Sequence, residues 1–415
     1  MYRGMFAALF HIARGVCMTE PASTTTETPA RRSLAQTALS ILRLVVINFL
    51  VFAVLAEIAS IILVNFSKWP SSKPSYHVNY NSFWADTNPA FGVWHRPSGH
   101  FIHKEGCFTV AYDTNSYGAR DTERTLHSSA PRTIMLGDSF VEGLGIPADA
   151  RLTNILEKDT GHEVLNFGTG GNFGPLQYAL LYKTMAAAFD HNLVVVGVLP
   201  DNDFHDMSLD YWKSIGEGNR YRPYYADDFS VFYTGHFQPN AGEGFWDHVE
   251  AVLRAYLASY HVGQFLYSQF YWRNASPYSG YNDYNNVDLA RLKHALEDIK
   301  TTADAHGAQV KVFLIPRAND FQRLHQAGTN RLGPVLETWG RESGIPVKDL
   351  LPEMNASAPK DYMSYFLKCD GHWSAHGDAV AAQILEPWLA ESKSPENSSA
   401  FPAANDKTPV PAARK

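Results

Sequence analysis

Apolar positions along the chain form one long segment and a series of short runs. The long segment covers residues 44–66. As an α-helix it would be about 34 Å long, enough to cross the roughly 30 Å hydrocarbon layer of a bilayer. The apolar core of a signal peptide usually holds only about 7–15 residues. We therefore expect a retained transmembrane helix over residues 44–66.

Four short apolar runs follow, and each ends in small or polar residues. They cover residues 133–136, 163–167, 193–199 and 309–316. This repeated pattern predicts the strands of an α/β domain with a parallel sheet. Ligands bind at the carboxyl ends of such strands. We therefore expect the polar residues after each run to converge.

The same pattern divides the chain into segments. We expect a tail over residues 1–43, the transmembrane helix over 44–66, a collar with a small β element near 108–112 over 67–130, a catalytic domain over 131–391 and a disordered tail over 392–415. An aromatic-rich insertion covers about 204–283 and includes a helical stretch over 246–272. Met18 is followed by a polar segment, and it would serve as the first residue of the protein as well as Met1 would.

Composition narrows the function classes. The chain has 415 residues, 45% of them hydrophobic, so the part after residue 66 can bury a sizeable core. Its net charge of -7 and the lack of a long basic run exclude the electrostatic footprint of a nucleic-acid-binding protein. Three cysteines cannot build a disulfide-rich scaffold, and their spacing indicates no structural zinc. We expect no metal and no cofactor.

Candidate catalytic residues lie at two ends of the predicted domain. Ser139 follows the first predicted strand, and Asp370 and His372 come after the last one. A hydroxyl nucleophile, an imidazole base and a carboxylate that orients the imidazole are the groups that acyl transfer needs. A Gly-Asp-Ser triplet alone is also common in structural turns.

A tetrahedral oxyanion also needs hydrogen-bond donors. We expect them to be the backbone N–H groups of Ser139 and Gly171 and the side-chain amide of Asn202. Gly171 suits this role because a residue without Cβ lets the backbone approach a substrate closely.

Four blocks in this order resemble the SGNH hydrolase superfamily, also called the GDSL esterases, over about residues 115–389. The matching residues are Gly137-Asp138-Ser139, Asn166 through Gly171, Asn202-Asp203 and Asp370-Gly371-His372. The resemblance implies a flavodoxin-like three-layer α/β/α fold. It also implies ester chemistry on a carbohydrate, a lipid or a small acyl ester.

Two departures from the commonest SGNH pattern bear on the reaction. Only Gly371 separates Asp370 from His372, where two residues are usual, and Asp201 stands where glycine is usual. The short spacing, followed by Trp373 and Ser374, resembles the branch that contains the alginate O-acetyltransferases of exopolysaccharide assembly. That resemblance favours acyl transfer to sugars.

Basic residues before the apolar segment predict its orientation. Five arginines precede it, against two glutamates: Arg3, Arg14, Arg31, Arg32 and Arg43 against Glu20 and Glu27. The positive-inside rule keeps the N-terminus in the cytoplasm, so the domain would be extracytoplasmic, in the periplasm if the cell has one. Cys107 and Cys369 would then occupy an oxidising space, either as a disulfide or as two buried thiols.

These expectations combine into a single-pass membrane protein with an extracytoplasmic serine esterase or O-acyltransferase domain. Its substrates would be acyl esters, acetyl above all, of an envelope or secreted polysaccharide. Two alternatives remain open: a non-catalytic polysaccharide-binding or assembly component of an envelope complex, and a lipid-directed esterase. Glu57 inside the apolar segment either contacts another membrane subunit or is a tolerated polar residue.

Overall fold

The computed structural model describes residues 33–66, 73–76, 78, 83–237, 244–272, 278–328 and 330–391. Most of the tail predicted over residues 1–43 and the whole of the tail predicted over 392–415 lie outside these ranges. The chain divides into two units, residues 1–56 and 57–415. In the first unit the structure describes the N-terminal part of one long helix.

The helices of the described residues are α1 Leu34–Phe66, α2 Ser139–Glu142, α3 Leu152–Thr160, α4 Pro175–Thr184, α5 Pro200–Asp206, α6 Leu209–Ser214, α7 Phe245–Tyr256, α8 Ala258–Trp272, α9 Gly280–Asp283, α10 Asn286–Ala305, α11 Ala318–Ala327, α12 Leu332–Ser343, α13 Leu350–Ser357 and α14 Ala375–Ala390. Helix α1 begins ten residues before the apolar segment that predicted it. It is long and apolar enough to cross a membrane. The single helical stretch predicted over residues 246–272 is two helices, α7 and α8, with a break at Leu257.

The strands are β1 Ala85–Asn88, β2 Gly92–Trp94, β3 His100–Lys104, β4 Thr109–Asp113, β5 Arg132–Gly137, β6 Glu163–Gly168, β7 Leu193–Val198, β8 Arg222–Tyr225, β9 Val231–Thr234, β10 Gln309–Leu314 and β11 Val347–Asp349. Five of them form one sheet in the order β11-β10-β7-β5-β6, and all four pairings are parallel. Counted along the chain, this is the 2-1-3-4-5 order of flavodoxin-like sheets. The predicted α/β class with a parallel sheet is confirmed.

Burial explains why the four predicted strands are continuous apolar runs in the sequence. In β7 every residue after Leu193 is buried, as expected for a parallel strand covered on both faces. Helix α3 packs against α14, and α4 packs against α10. The fifth strand, β11, was not predicted because it has three residues and only one of them, Asp349, is buried.

Two antiparallel hairpins precede the sheet. Strand β4 confirms the small β element predicted near residues 108–112, and it pairs with β3. The second hairpin, β1 with β2, was not predicted. Phe91, Val93 and Trp94 of this hairpin belong to the main hydrophobic core. The hairpin is therefore packed into the domain.

Aromatic residues of the predicted insertion do not share one separate core. Phe204 and Tyr281 belong to the main core, and Tyr225 packs with Leu176 and Ala295. Phe245 and other aromatic residues of α7 are exposed instead. The insertion thus combines segments packed on the domain with a helical hairpin whose apolar side chains reach the surface.

Candidate active site

Ser139 lies directly after the sheet strand β5. Asp138 caps the short helix α2, and its side chain accepts a hydrogen bond from the Phe140 N–H. Gly137 is required just before the cap, because a Cβ there would lie 2.3 Å from a methyl group of Val141. The strand therefore turns sharply, and Ser139 begins α2 at the carboxyl edge of the sheet.

The three residues predicted to form a triad lie together. Ser139 Oγ is 2.6 Å from His372 Nε2, and His372 Nδ1 is hydrogen-bonded to Asp370 Oδ1. The backbone N–H of His372 donates to the same carboxylate oxygen at 2.9 Å. A single residue between Asp370 and His372 is therefore sufficient for the two side chains to pair, because the turn directs the backbone N–H and the Nδ1–H of His372 at one oxygen of Asp370.

Asp370 remains ionised in this arrangement. Burial acts to raise the pKa of its carboxyl group, but the hydrogen bond and charge of His372, with Arg317 nearby, outweigh burial and lower the pKa to about 2. An ionised Asp370 fixes the Nδ1–H tautomer of His372, so that Nε2 faces the Ser139 hydroxyl as an acceptor.

Aromatic packing and a disulfide hold the turn that carries His372. The Phe140 ring lies 4.8 Å from the imidazole. The neighbouring Trp373 is buried, and its Nε1–H donates to the carbonyl of Pro316 at 3.3 Å. Cys369, next to Asp370, forms a disulfide with Cys107.

The two departures from the SGNH pattern, at Asp201 and around Gly371, both lie beside Arg317. Sequence analysis did not identify Arg317 as a site residue. Its Nη1 donates to Asp201 Oδ2 at 2.5 Å. Its Nη2 would lie 2.9 Å from a Cβ at position 371. Asp201 therefore holds a guanidinium against Gly371, beside the triad carboxylate, and the absence of a side chain at Gly371 leaves room for it.

The glycine block follows β6, the strand next to β5. Gly171 has φ +84°, and a Cβ there would lie 2.7 Å from Val93 and 3.2 Å from Trp84. Glycine is needed for both conformation and space. Arg220 donates to the Gly171 carbonyl at 3.1 Å, which fixes this peptide from its other side.

Glu142 is a further buried residue that sequence reasoning missed. Its carboxylate accepts hydrogen bonds from the Gly170 N–H and from Trp84 Nε1 at 2.9 Å, and it lies 3.3 Å from His95 Nε2. Burial acts to raise its pKa, but His95 and Arg120 outweigh this and lower it. A fully buried anion therefore joins α2, which begins at Ser139, to the glycine block.

Asn202 lies in the first turn of α5, after β7. Strand β7 pairs with β5 on one side and β10 on the other. Ser139, Gly171 and Asn202 thus follow three adjacent strands, β5, β6 and β7. Asn202 is partly exposed, and no hydrogen bond ties its side-chain amide to another described residue.

Three buried carboxyl groups lie behind these strand ends. Burial is the main reason that the pKa of Asp138 is raised to about 7. It is also the main reason that the pKa of Asp203 is raised well above its ordinary value. Asp203 accepts hydrogen bonds from the Tyr178 hydroxyl at 2.8 Å and from the Leu199 N–H at 2.9 Å. Asp206 is paired with Arg222 at 3.2 Å. The sequence pattern places polar residues after the strand ends, but it does not indicate that these three carboxyl groups are buried.

A polar cavity of about 660 Å³ opens beside the glycine block. It is lined by Asp86, Glu217, Asn219, Arg220, Tyr221, Gly235 and His236. Arg220 links it to Gly171 through the hydrogen bond already described. Among the described residues, no group of three or more His, Cys, Asp and Glu side chains is arranged to hold a metal ion.

No protein-family model and no curated protein sequence matches this chain. Similar solved structures include a lipolytic protein of the G-D-S-L family from Desulfitobacterium hafniense, with 11% identity over 62% of this chain and 98% of that one and a TM-score of 0.33. Another is a GDSL-like lipase from Bacteroides thetaiotaomicron, with 11% identity, 65% and 93% coverage and a TM-score of 0.34. A catalytic mutant of an acetylxylan esterase from Geobacillus stearothermophilus has 10% identity, 63% and 94% coverage and a TM-score of 0.34. The similarity is confined to the fold.

Proposed function

We propose that this protein is a membrane-anchored serine esterase or O-acyltransferase that acts on acetyl or other short acyl esters of a polysaccharide outside the cytoplasm. The observation that carries the proposal is the hydrogen-bonded series from Ser139 Oγ through His372 to Asp370, with 2.6 Å between Oγ and Nε2. A hydroxyl, an imidazole and an ionised carboxylate in this order are the groups of a nucleophilic acyl-transfer site.

The reaction would have two halves. His372 Nε2 takes the proton as Ser139 Oγ attacks the ester carbonyl, and the tetrahedral intermediate expels the alcohol, which receives that proton. Water or a sugar hydroxyl then attacks the acyl-serine, again with His372 as the base, and the acyl–Oγ bond breaks as His372 returns the proton to Ser139. Water gives the free acid, and a sugar hydroxyl gives a new ester.

Three donors would stabilise the oxyanion: the N–H groups of Ser139 and Gly171 and the side-chain amide of Asn202. Their positions after adjacent strands support this assignment, as does the close approach that Gly171 permits. Fixed donors of this kind stabilise the charge that develops in the transition state. Glu142 and Arg220 would hold the glycine block and so position Gly171.

The polar cavity beside Gly171 supports a carbohydrate substrate. Its lining offers carboxylate, guanidinium, amide and phenol groups, which suit the hydroxyl groups of a sugar better than an alkyl chain. Helix α1 supports anchoring, since its length and apolarity suffice for one membrane span, and the arginines before it support an extracytoplasmic domain.

The first assay would distinguish hydrolysis from transfer. The full-length protein in detergent is incubated with an acetyl ester and candidate oligosaccharides, and both free acetate and acetylated sugar are followed. We expect acetyl groups on sugar for a transferase, and free acetate alone for an esterase. In either case Ser139→Ala should lower turnover on the order of 10⁶-fold, the scale found when such a nucleophile is removed. A folded wild-type protein that binds the oligosaccharides but forms no acyl product would contradict the proposal.

A further inference from the structure

Helix α7 carries an apolar stripe that is largely exposed and is contacted at Tyr256 by the ring of Tyr76. Apolar residues recur with helical spacing on one side of it: Phe245, Val249, Val252, Leu253 and Tyr256. Trp246 lies at the edge of this stripe and is 77% exposed, and Phe245 is 72% exposed. The helix packs against the protein through a different side, where Ala255 is buried.

A third side of α7 is polar and also exposed. Arg254 pairs with Glu250 at 2.8 Å, and Asp247 accepts a hydrogen bond from the Gly244 N–H at the start of the helix. The exposed surface is therefore amphipathic, with an apolar stripe beside a polar one. Its charges include no cluster of basic residues, so the surface is not suited to electrostatic attraction by anionic lipid.

Glu57 connects this hairpin to the end of the apolar helix α1. Its carboxylate accepts hydrogen bonds from the N–H groups of Ala258 at 2.7 Å and Ser259 at 3.1 Å, which are the first two residues of α8. Amides in the first turn of a helix have no intrahelical acceptor and favour an anionic partner. Neither expectation for Glu57 anticipated this contact within the chain.

Two further residues at the end of α1 are also buried. Ser60 and Val64, which follow Glu57 at helical spacing, are buried, whereas Ile61 and Ile62 between them are exposed. The end of α1 is thus partly buried on the side that bears Glu57 and exposed on the side of Ile62. The start of α8 is therefore hydrogen-bonded to a helix that is long and apolar enough to cross a membrane.

The position of Glu57 sets the level of the hairpin. Glu57 follows Leu44 by 13 residues, about 20 Å along a helix. In a hydrocarbon layer of about 30 Å that begins near Leu44, this level is in the outer leaflet. Helix α7 ends and helix α8 begins at that level, about 10 Å below the boundary where Trp and Tyr are enriched in membrane proteins.

We propose that the α7–α8 hairpin lies in the membrane–water interface on the extracytoplasmic side, with the apolar stripe of α7 and the adjoining Trp246 inserted into lipid. The inference rests on the membrane anchoring proposed above. An amphipathic helix with a strong apolar face binds in the interface plane in this way. The hairpin is then a second membrane contact of this protein.

Environment-sensitive labels on the full-length protein test this contact. The starting variant carries Cys17→Ser, and Cys107 and Cys369 stay oxidised. Single cysteines are introduced by Leu253→Cys or Tyr256→Cys on the apolar stripe, and by Arg254→Cys on the polar side as a matched control. Each variant is labelled with a nitrobenzoxadiazole fluorophore and reconstituted in phosphatidylcholine vesicles with and without brominated acyl chains.

Labels at positions 253 and 256 should emit at shorter wavelength than the label at 254, be quenched several-fold more by brominated lipid and resist iodide. These differences should persist at high salt, because the contact is apolar. Equal iodide access at positions 253, 256 and 254 would overturn the proposal. That outcome would leave the esterase proposal intact, since release of acetate from a soluble ester is measured separately on the same samples.

Discussion

Two carboxyl groups near Ser139 illustrate how residue environment decides charge. Asp370 accepts two hydrogen bonds from His372, and its pKa is lowered to about 2. Asp138 is fully buried, one of its oxygens has no hydrogen-bond partner among the described residues, and its pKa is raised to about 7. The first carboxylate can therefore orient the imidazole throughout the neutral range, while the second is largely protonated below about pH 7.

Asp138 should make the stability of the protein depend on pH. A carboxyl group with an ordinary pKa near 4 when unfolded and about 7 when folded binds more protons in the native state between these values. The free energy of unfolding then falls as pH rises through this window. Asp138→Asn keeps the acceptor for the Phe140 N–H but cannot ionise. Thermal unfolding between pH 4 and 8 should show a shallower fall with pH for the variant than for wild type.

Two other buried acids limit the difference that we expect between Asp138→Asn and wild type. Asp203 and Asp206 also have raised pKa values, so part of the pH dependence should remain in Asp138→Asn. Unfolding curves that stay parallel for the two proteins across the whole range would show that Asp138 does not titrate as its burial implies.

At the scale of elements, the turn that carries Asp370 and His372 is short and lies far along the chain from β5. The contacts that hold it include the disulfide from Cys369, the hydrogen bond from Trp373 and the packing of Phe140 on the imidazole. Only the disulfide is covalent, and it ties the turn to the loop after β3. Because the disulfide adjoins Asp370, we expect it to affect the geometry of the proposed catalytic site as well as the stability of the protein.

Cys107→Ser with Cys369→Ser should therefore lower both stability and turnover. Loss of a disulfide that closes a long loop costs about 2–4 kcal/mol, and a looser turn should reduce kcat more than it raises KM. Cys17→Ser is the matched control, since it removes a cysteine outside the pair. Alkylation of two thiols in the unreduced wild-type protein, mapped to Cys107 and Cys369, would refute the premise.

Some elements could be predicted and others could not, for physical reasons. Strands buried on both faces, such as β7, leave continuous apolar runs that can be recognised directly. Strand β11 has three residues and leaves no such run. The break between α7 and α8 is at Leu257, which neither glycine nor proline marks, so the pair resembled one helix.

At the scale of the whole molecule, the site depends on contacts between distant parts of the chain. Ser139 and His372 are 233 residues apart. They could still be proposed as partners, because parallel strands bring their carboxyl ends to one edge and because the block order resembles a known superfamily. Arg317 and Glu142 could not, since nothing local marks a residue that acts by contacting a distant backbone.

The proposed membrane attachment also rests partly on local and partly on distant features of the chain. The apolar length of α1 is evident from sequence composition. The hydrogen bonds that Glu57 accepts from Ala258 and Ser259 join residues 201 and 202 positions apart, and no periodicity predicts them. The second membrane contact proposed for α7 and α8 therefore depends on the three-dimensional structure.

The central claim is that Ser139 is a nucleophile activated by His372. The most direct test treats the full-length protein with a fluorophosphonate, which modifies activated serine hydroxyls, and maps the adduct by peptide mass spectrometry. Wild type should carry one adduct, on Ser139; Ser139→Ala should carry none, and His372→Ala should react far more slowly while unfolding at a similar temperature. A folded wild-type protein that remains unmodified, or an adduct on another serine that persists in Ser139→Ala, would contradict the account.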